Sequence, residues 1–294
     1  MTEPPLRDRL RHLLGGQNLG VLRVDCLPVT TPRRFDLRLS FSDGSVAPAW
    51  LALPDGPAPY PAVFYAHAHG NRYETGRDEL WDGRPALVRP YGPDILDLGA
   101  AVFCLEMPLF GQRQGDEGAL AKAHAWRGQP LWGRMLAEAQ AAFTWLAGLP
   151  IIADDRIATL GLSMGGSQAF WLGALEPRVA AVAHLCCFAD MAELIHCGAH
   201  DLHGPYLTVP GLLPVARTGQ IAGLIAPRPH LVGLGALDPL TPLGARDRGL
   251  ADLRAAYGAT GDLSVHLAAE TGHQETPAMR RAVLRFLRHA LRLS

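Results

Sequence analysis

The stretch RIATLGLSMGGSQAFWLGAL, Arg156–Leu175, sets one serine between two glycines. RIATLGL is a short apolar run of the strand type, and SQAFWLGAL reads as a helix. Gly161, Ser163 and Gly165 spell G-x-S-x-G, and Gly166 follows. A strand, a tight turn and a helix in that order would hold the serine on a strained corner with its hydroxyl exposed. Glycines at both flanks keep side chains from colliding where strand and helix meet. The helix N-terminus adds partial positive charge there, so the Met164 amide is the expected first donor to an oxyanion. The motif alone is a weak signal, because glycine and serine are common. Its strand-to-helix context carries the inference.

A serine hydroxyl needs a base to take its proton. On such a sheet the partners follow in the order Ser, Asp or Glu, His, each on a loop after a later strand. Asp238 directly follows the apolar run PHLVGLGA, and His273 lies between the run LSVHLA and the last helix. Ser163, Asp238 and His273 are therefore the expected triad, with Asp190 as the rival acid. The second oxyanion donor is expected from the loop after PAVFYAH, where the chain reads HAHGNRYETG. The backbone amide of His69 is the first choice, with Gly70 or Asn71 next. His67 is expected to serve structurally, by hydrogen bonding to neighbouring loops.

Outward from this corner, strands and helices alternate. RFDLRLSF alternates in polarity, and Asp43–Gly44 signals a hairpin into SVAPAWLALP. PAVFYAH, AAVFCLEM, RIATLGL, VAAVAHLC, PHLVGLGA and LSVHLA are the further strand candidates. Helix-like segments lie around 90–98, in LWGRMLAEAQAAFTWLAGL, in LGARDRGLADLRAAYG and in PAMRRAVLRFLRHALRL. The expected fold class is α/β: an eight-stranded, mostly parallel sheet with antiparallel N-terminal strands and helices on both faces. One domain over 1–294 is expected: an N-terminal helix and hairpin over 1–58, then a catalytic core over 59–294 with an insertion at about 188–217. That insertion lacks sheet rhythm and should sit at the C-terminal strand ends, where ligands bind in such sheets.

With these residues assembled, the chain resembles the α/β-hydrolase superfamily, and within it the dienelactone-hydrolase-like and acetyl-xylan-esterase-like branch. HAHGNRYETG resembles that branch's oxyanion loop, and MPLFGQRQGD its G-x-R segment. ADDRIATLGLSMGGSQAFWLGALEPRVAAV resembles its nucleophile elbow. HGPYLTVPGLL and IAGLIAPRPHLVGLGALDPLTP resemble the approach to its catalytic aspartate. Ala68 stands where that branch commonly has glycine, and Glu106 where it has aspartate. Serine at 163, rather than cysteine, separates the chain from true dienelactone hydrolases. The resemblance implies a cofactor-free serine hydrolase acting on carboxylic esters with short acyl groups. A prolyl-oligopeptidase-like peptidase and a non-catalytic binding protein on the same fold are the alternatives.

Composition narrows the partners. The chain has 294 residues, 48% of them hydrophobic, and a formal charge of −1. That balance, with arginines scattered and Lys122 the only lysine, gives no basic footprint for nucleic acid. No apolar run approaches the roughly 20 residues that span a bilayer, so no membrane partner is expected. MTEPPLRDRL lacks the pattern of a signal peptide, and five cysteines make no disulfide framework. A cytoplasmic protein with a small-molecule ester substrate is the expectation. Leu6, Leu10, Leu13 and Leu14 form the apolar stripe of an N-terminal helix that covers its own core or docks a second copy. His196, His200 and His203 would share a helical face suited to zinc, but Gly204–Pro205 interrupts it, and the pocket rim is the expected place for them. Trp81, Trp126, Trp132 and Phe188 are candidates for the pocket wall or the core. The arginines of the last helix, Arg280, Arg281, Arg285, Arg288 and Arg292, are expected to be solvated.

Overall fold

The computed structural model describes residues 4–259 and 261–293; residues 1–3, 260 and 294 of the expected domain lie outside the described residues. The chain begins with α1 (Leu6–Leu13), β1 (Val21–Leu27), β2 (Arg34–Phe41), β3 (Val46–Ala52) and β4 (Tyr60–Ala66). Then come α2 (Glu79–Asp82), α3 (Tyr91–Asp97), β5 (Ala101–Leu105), α4 (Glu117–Trp126) and α5 (Leu131–Ala147). The centre holds β6 (Ile152–Leu162), α6 (Met164–Leu175), β7 (Ala181–Leu185), α7 (Met191–His196) and α8 (Thr218–Gly223). The chain finishes with β8 (His230–Gly235), α9 (Leu243–Tyr257), β9 (Leu263–Ala268) and α10 (Pro277–Ala290).

The strands form one mixed sheet in the order β1-β2-β3-β5-β4-β6-β7-β8-β9. It has nine strands where the sequence reading counts eight. The addition is β1, an antiparallel edge strand on β2 whose residues are all at least partly exposed. Val21 and Val24 pack only partly against the core, and a register shift between Val21 and Arg23 breaks the alternation, so VLRVDCL carries no regular pattern to read. β2–β3 and β3–β5 are antiparallel, and every pair from β5 through β9 is parallel.

Alternate residues of β4 feed two separate cores, Ala62 and Phe64 on one face and Val63 and Tyr65 on the other. The first core packs under α1, α5, α6, α8 and α9, and the second under α2, α3 and α10. Every residue of α6 is buried, as a helix apolar all round must be when it lies between a sheet and other helices. α1 docks on this body rather than projecting from it: Leu10 is buried, and Arg7 and Arg11 donate to the carbonyls of Ala174 and Leu175 at the end of α6. The two arginines satisfy carbonyls that a helix end leaves without partners.

The strand order reverses at β4, because the chain runs outward from β4 to β5 and then crosses back to β6. The loops after β4 and β6 therefore diverge and leave a crevice at the C-terminal strand ends, where such sheets bind ligands.

Candidate active site

Ser163 occupies the turn between β6 and α6 with φ 57° and ψ −122°, a conformation that side-chain-bearing residues rarely adopt. The surrounding contacts force it. The Ser163 amide donates to the Leu185 carbonyl at 2.8 Å, and its carbonyl accepts from Ser167 at 2.9 Å. A Cβ on Gly165 would lie 1.9 Å from the Ala66 carbonyl oxygen, so only glycine lets α6 start so close to β4. Gly165→Ala is therefore expected to cost about 3 kcal/mol or more, read as a lowered urea midpoint with an unchanged slope.

His273 Nε2 lies 2.9 Å from Ser163 Oγ, and its Nδ1 lies 2.8 Å from Asp238 Oδ2. Asp238 Oδ1 accepts from the Leu240 amide, which fixes the carboxylate's rotamer. An ionised carboxylate accepts only, so Nδ1 carries the proton and Nε2 is left to accept from the serine. The Asp238 and His273 loops are laced together: the Leu237 amide donates to the Thr271 carbonyl at 2.9 Å. Gly235 permits this approach, since a Cβ there would sit 2.2 Å from the Gly272 carbonyl oxygen. Asp190, the rival acid, accepts instead from the amides of Ala192 and Glu193 and caps α7.

A buried ion network anchors the histidine loop from its far side. Arg280 of α10 pairs with Glu275 at 2.7 Å and with Asp94 at 2.9 Å, and stacks 3.4 Å over the Tyr91 ring. Glu275 also accepts from the Tyr91 hydroxyl and the Val88 amide. The expectation of solvated arginines on the last helix thus fails at Arg280, which is 3% exposed. Its partner Asp94 lies 186 positions away, and helical periodicity cannot report that contact.

The loop after β4 is held by two further carboxylates. Buried Glu79 accepts from the Ala68 amide at 3.0 Å and pairs with Arg84, which also donates to the Ala68 carbonyl. Ala68 thus spends its amide inside the loop. His67 Nε2 accepts from the Met107 amide, which ties this loop to the one after β5. The amides of His69 and Met164 have no acceptor among the described residues. The His69 ring is locked at both nitrogens: Nδ1 accepts from the Asn71 amide, and Nε2 donates to Glu117 at 2.9 Å.

Glu117 was not legible as a site residue. It also accepts from the Tyr73 hydroxyl at 2.6 Å and the Tyr206 amide at 3.1 Å. Burial pushes its carboxyl up, but the hydrogen bonds from His69, Tyr73 and Tyr206 outweigh this and hold it below the usual carboxylate value. In Glu117→Gln an amide N–H must face one of these donors, whichever way the side chain turns. The unmet donor should loosen His69, and about a tenfold fall in kcat is expected, with the larger part of the change in kcat rather than KM. Steady-state kinetics with p-nitrophenyl acetate would check this.

Beside Ser163 lies a cavity of about 20 Å³, lined by Met164, Cys187, Met191, Leu194, Tyr206 and His273 among others. That is room for about one water-sized group. None of the four aromatic wall candidates lines it: Trp132 and Phe188 are core, Trp126 is exposed, and Trp81 stacks on Arg34. The histidines at 196–203 do not share a helix either. α7 ends at His196, and Gly198 at φ 79° turns the chain before His200. His200 and His203 reach the wall of a second cavity, and no group of three metal-ligating side chains placed to hold an ion occurs among the described residues. No described helix is long and apolar enough to cross a membrane.

No protein-family model matches the chain. The Bacillus subtilis (strain 168) protein named "Putative hydrolase YtaP" is 34% identical over 258 residues, covering 85% of this chain and 86% of that one. Among solved structures, acetyl xylan esterase 1 from Thermoanaerobacterium sp. JW/SL YS485 superposes with a TM-score of 0.69 at 13% identity, over 97% of this chain and 92% of that one. An acetyl xylan esterase from Paenibacillus sp. R4 gives 0.65 at 18%, over 96% and 92%. A glucuronoyl esterase from Solibacter usitatus gives 0.63 at 14%, over 96% and 92%. At these identities the solved structures speak for the fold.

Proposed function

The chain belongs to the α/β-hydrolase superfamily, and from that premise we propose that it is a serine hydrolase of carboxylic esters with short, acetyl-type acyl groups. The observation that carries the reading is the unbroken hydrogen-bonded line from Ser163 Oγ through the His273 ring to Asp238. Ser163 Oγ attacks the ester carbonyl while His273 Nε2 takes its proton. Asp238 holds the ring's tautomer and stabilises the imidazolium. The carbonyl oxygen, now an oxyanion, receives the amides of Met164 and His69, with the N-terminus of α6 adding positive potential. The tetrahedral adduct expels the alkoxide, which takes the proton from His273. A water then gives its proton to Nε2 and attacks the acyl-serine, and Ser163 is regenerated with release of the acid. No step calls for a cofactor.

The narrow cavity supports the short-acyl assignment. An acyl chain much beyond acetyl would have to displace Met191 or Leu194 from it. The test is a comparison of p-nitrophenyl acetate with peptide anilides, together with fluorophosphonate labelling. The acetate should turn over with an adduct forming on Ser163. Anilide cleavage exceeding acetate cleavage would favour a peptidase, and a folded protein that takes no label would favour a binding protein.

A further inference from the structure

The cavity beside Ser163 shares part of its wall with a second hollow. Met191, His203 and Leu207 form part of its wall and also part of the wall of a larger hollow of about 400 Å³. That is the size of a small-molecule site. The hollow is built by the segment between α7 and α8, and its further lining includes Ile195, Val209, Leu212 and Leu213. Its polar side chains are His200, His203 and Thr208; no carboxylate, arginine, lysine, phenylalanine, tyrosine or tryptophan lines it among the described residues. His203 is already engaged, with Nε2 at 3.1 Å from the Leu240 carbonyl. Ile195 and Leu213 stay 52% and 38% exposed at this wall, apolar surface left in water where a ligand would cover it.

We propose that this hollow seats the alcohol half of the substrate, so that the enzyme acts on short-acyl esters of bulky apolar alcohols rather than of sugars. The inference rests on the esterase reading above. The side is set by the chemistry: the departing oxygen must take its proton from His273 Nε2, so the alcohol leaves past that ring. His203 stands with His273 around the narrow cavity and also lines the hollow. A sugar presents many hydroxyls that would lose water here against leucine and valine, with few groups to replace it. An alkyl or terpene-like alcohol meets no such cost.

The experiment is a set of kcat/KM values, by pH-stat, for methyl, butyl and hexyl acetate, methyl hexanoate and a xylose monoacetate, which keeps its other hydroxyls free. Hexyl acetate should exceed methyl acetate by about 30-fold or more, as several methylenes are buried. The xylose monoacetate should fall below butyl acetate. Leu213→Asp should cut the hexyl-to-methyl ratio about tenfold, whereas Leu22→Asp, exposed on the edge strand, should leave the ratio unchanged. If esters are hydrolysed without preference among alcohols, or if the sugar acetate or methyl hexanoate is best, the assignment of the hollow is overturned while the esterase reading stands. If no ester is hydrolysed, both fall. A dimer that L213D converts to monomer would give the hollow to a second copy of the chain and would also overturn the proposal.

Discussion

Ser163→Ala should lower kcat/KM for p-nitrophenyl acetate by about 10⁴-fold or more while leaving the fold intact. The size follows from the geometry. In the proposed mechanism His273 and Asp238 activate only an oxygen placed 2.9 Å from Nε2, and alanine offers none. What survives would be water attack assisted by the free amides at His69 and Met164, a small remainder. Stability should barely move. Serine and alanine bear the same strain at φ 57°, and the Ser163 hydroxyl's partner is the partly exposed His273 ring rather than a fully buried group. The unfolding free energy from urea titration should therefore stay within about 0.5 kcal/mol of the parent, and fluorophosphonate labelling at this residue should vanish. A variant that keeps a tenth of the activity would remove Ser163 from the reaction.

The elbow and its two partners were readable because each is a local pattern at a strand end: apolar run, small residues, then a chemical group. Chain order alone then placed 163, 238 and 273 at one rim. What escaped was set by distance in sequence. Glu117 meets His69 from 48 positions away and Arg280 meets Asp94 from 186, and no period relates them. The helix through His196 to His203 failed for a local reason, a left-handed Gly198 that breaks the face those histidines would share. The edge strand β1 failed because its few packed residues, Val21 and Val24, lie across a register shift. For Glu117 and Arg280 the missing information is a tertiary contact rather than a propensity.

Acid should unfold this protein earlier than its carboxylates alone would, because three histidines are buried in neutral form. Burial drives His67 and His184 down to about 3 and His230 well below its usual value. The pair has a geometric reason to refuse a proton. His184 Nε2 lies 2.8 Å from His230 Nε2, and His184 Nδ1 faces Cys187 Sγ at 3.2 Å. With the thiol donating to Nδ1, His184 Nε2–H donates to His230, and a further proton would set N–H against N–H.

The sign then follows. In the unfolded chain these rings take protons near the ordinary 6.5, whereas the folded state does not. Stability is therefore whole above about pH 6.5 and is lost as pH falls, by about 1.4 kcal/mol per pH unit for each ring, roughly 4 for the three. Two buried acids work the other way. Burial raises Glu106 to about 6 and raises Glu79 as well, so the folded state takes up protons there before the unfolded state does. At their fullest they cancel two of the three rings, and a loss of at least about 1.4 kcal/mol per unit remains below pH 6. His203, also lowered by burial, adds to it. Urea midpoints between pH 7.5 and 4.5 measure the slope; a flat profile down to pH 5 would refute the account. His230→Leu should lower stability at pH 7.5, because His184 loses its acceptor, yet flatten the acid slope by one ring's worth. A purely structural role for the pair would lower the whole curve without changing its slope, so the slope identifies the buried neutral imidazole as the cause.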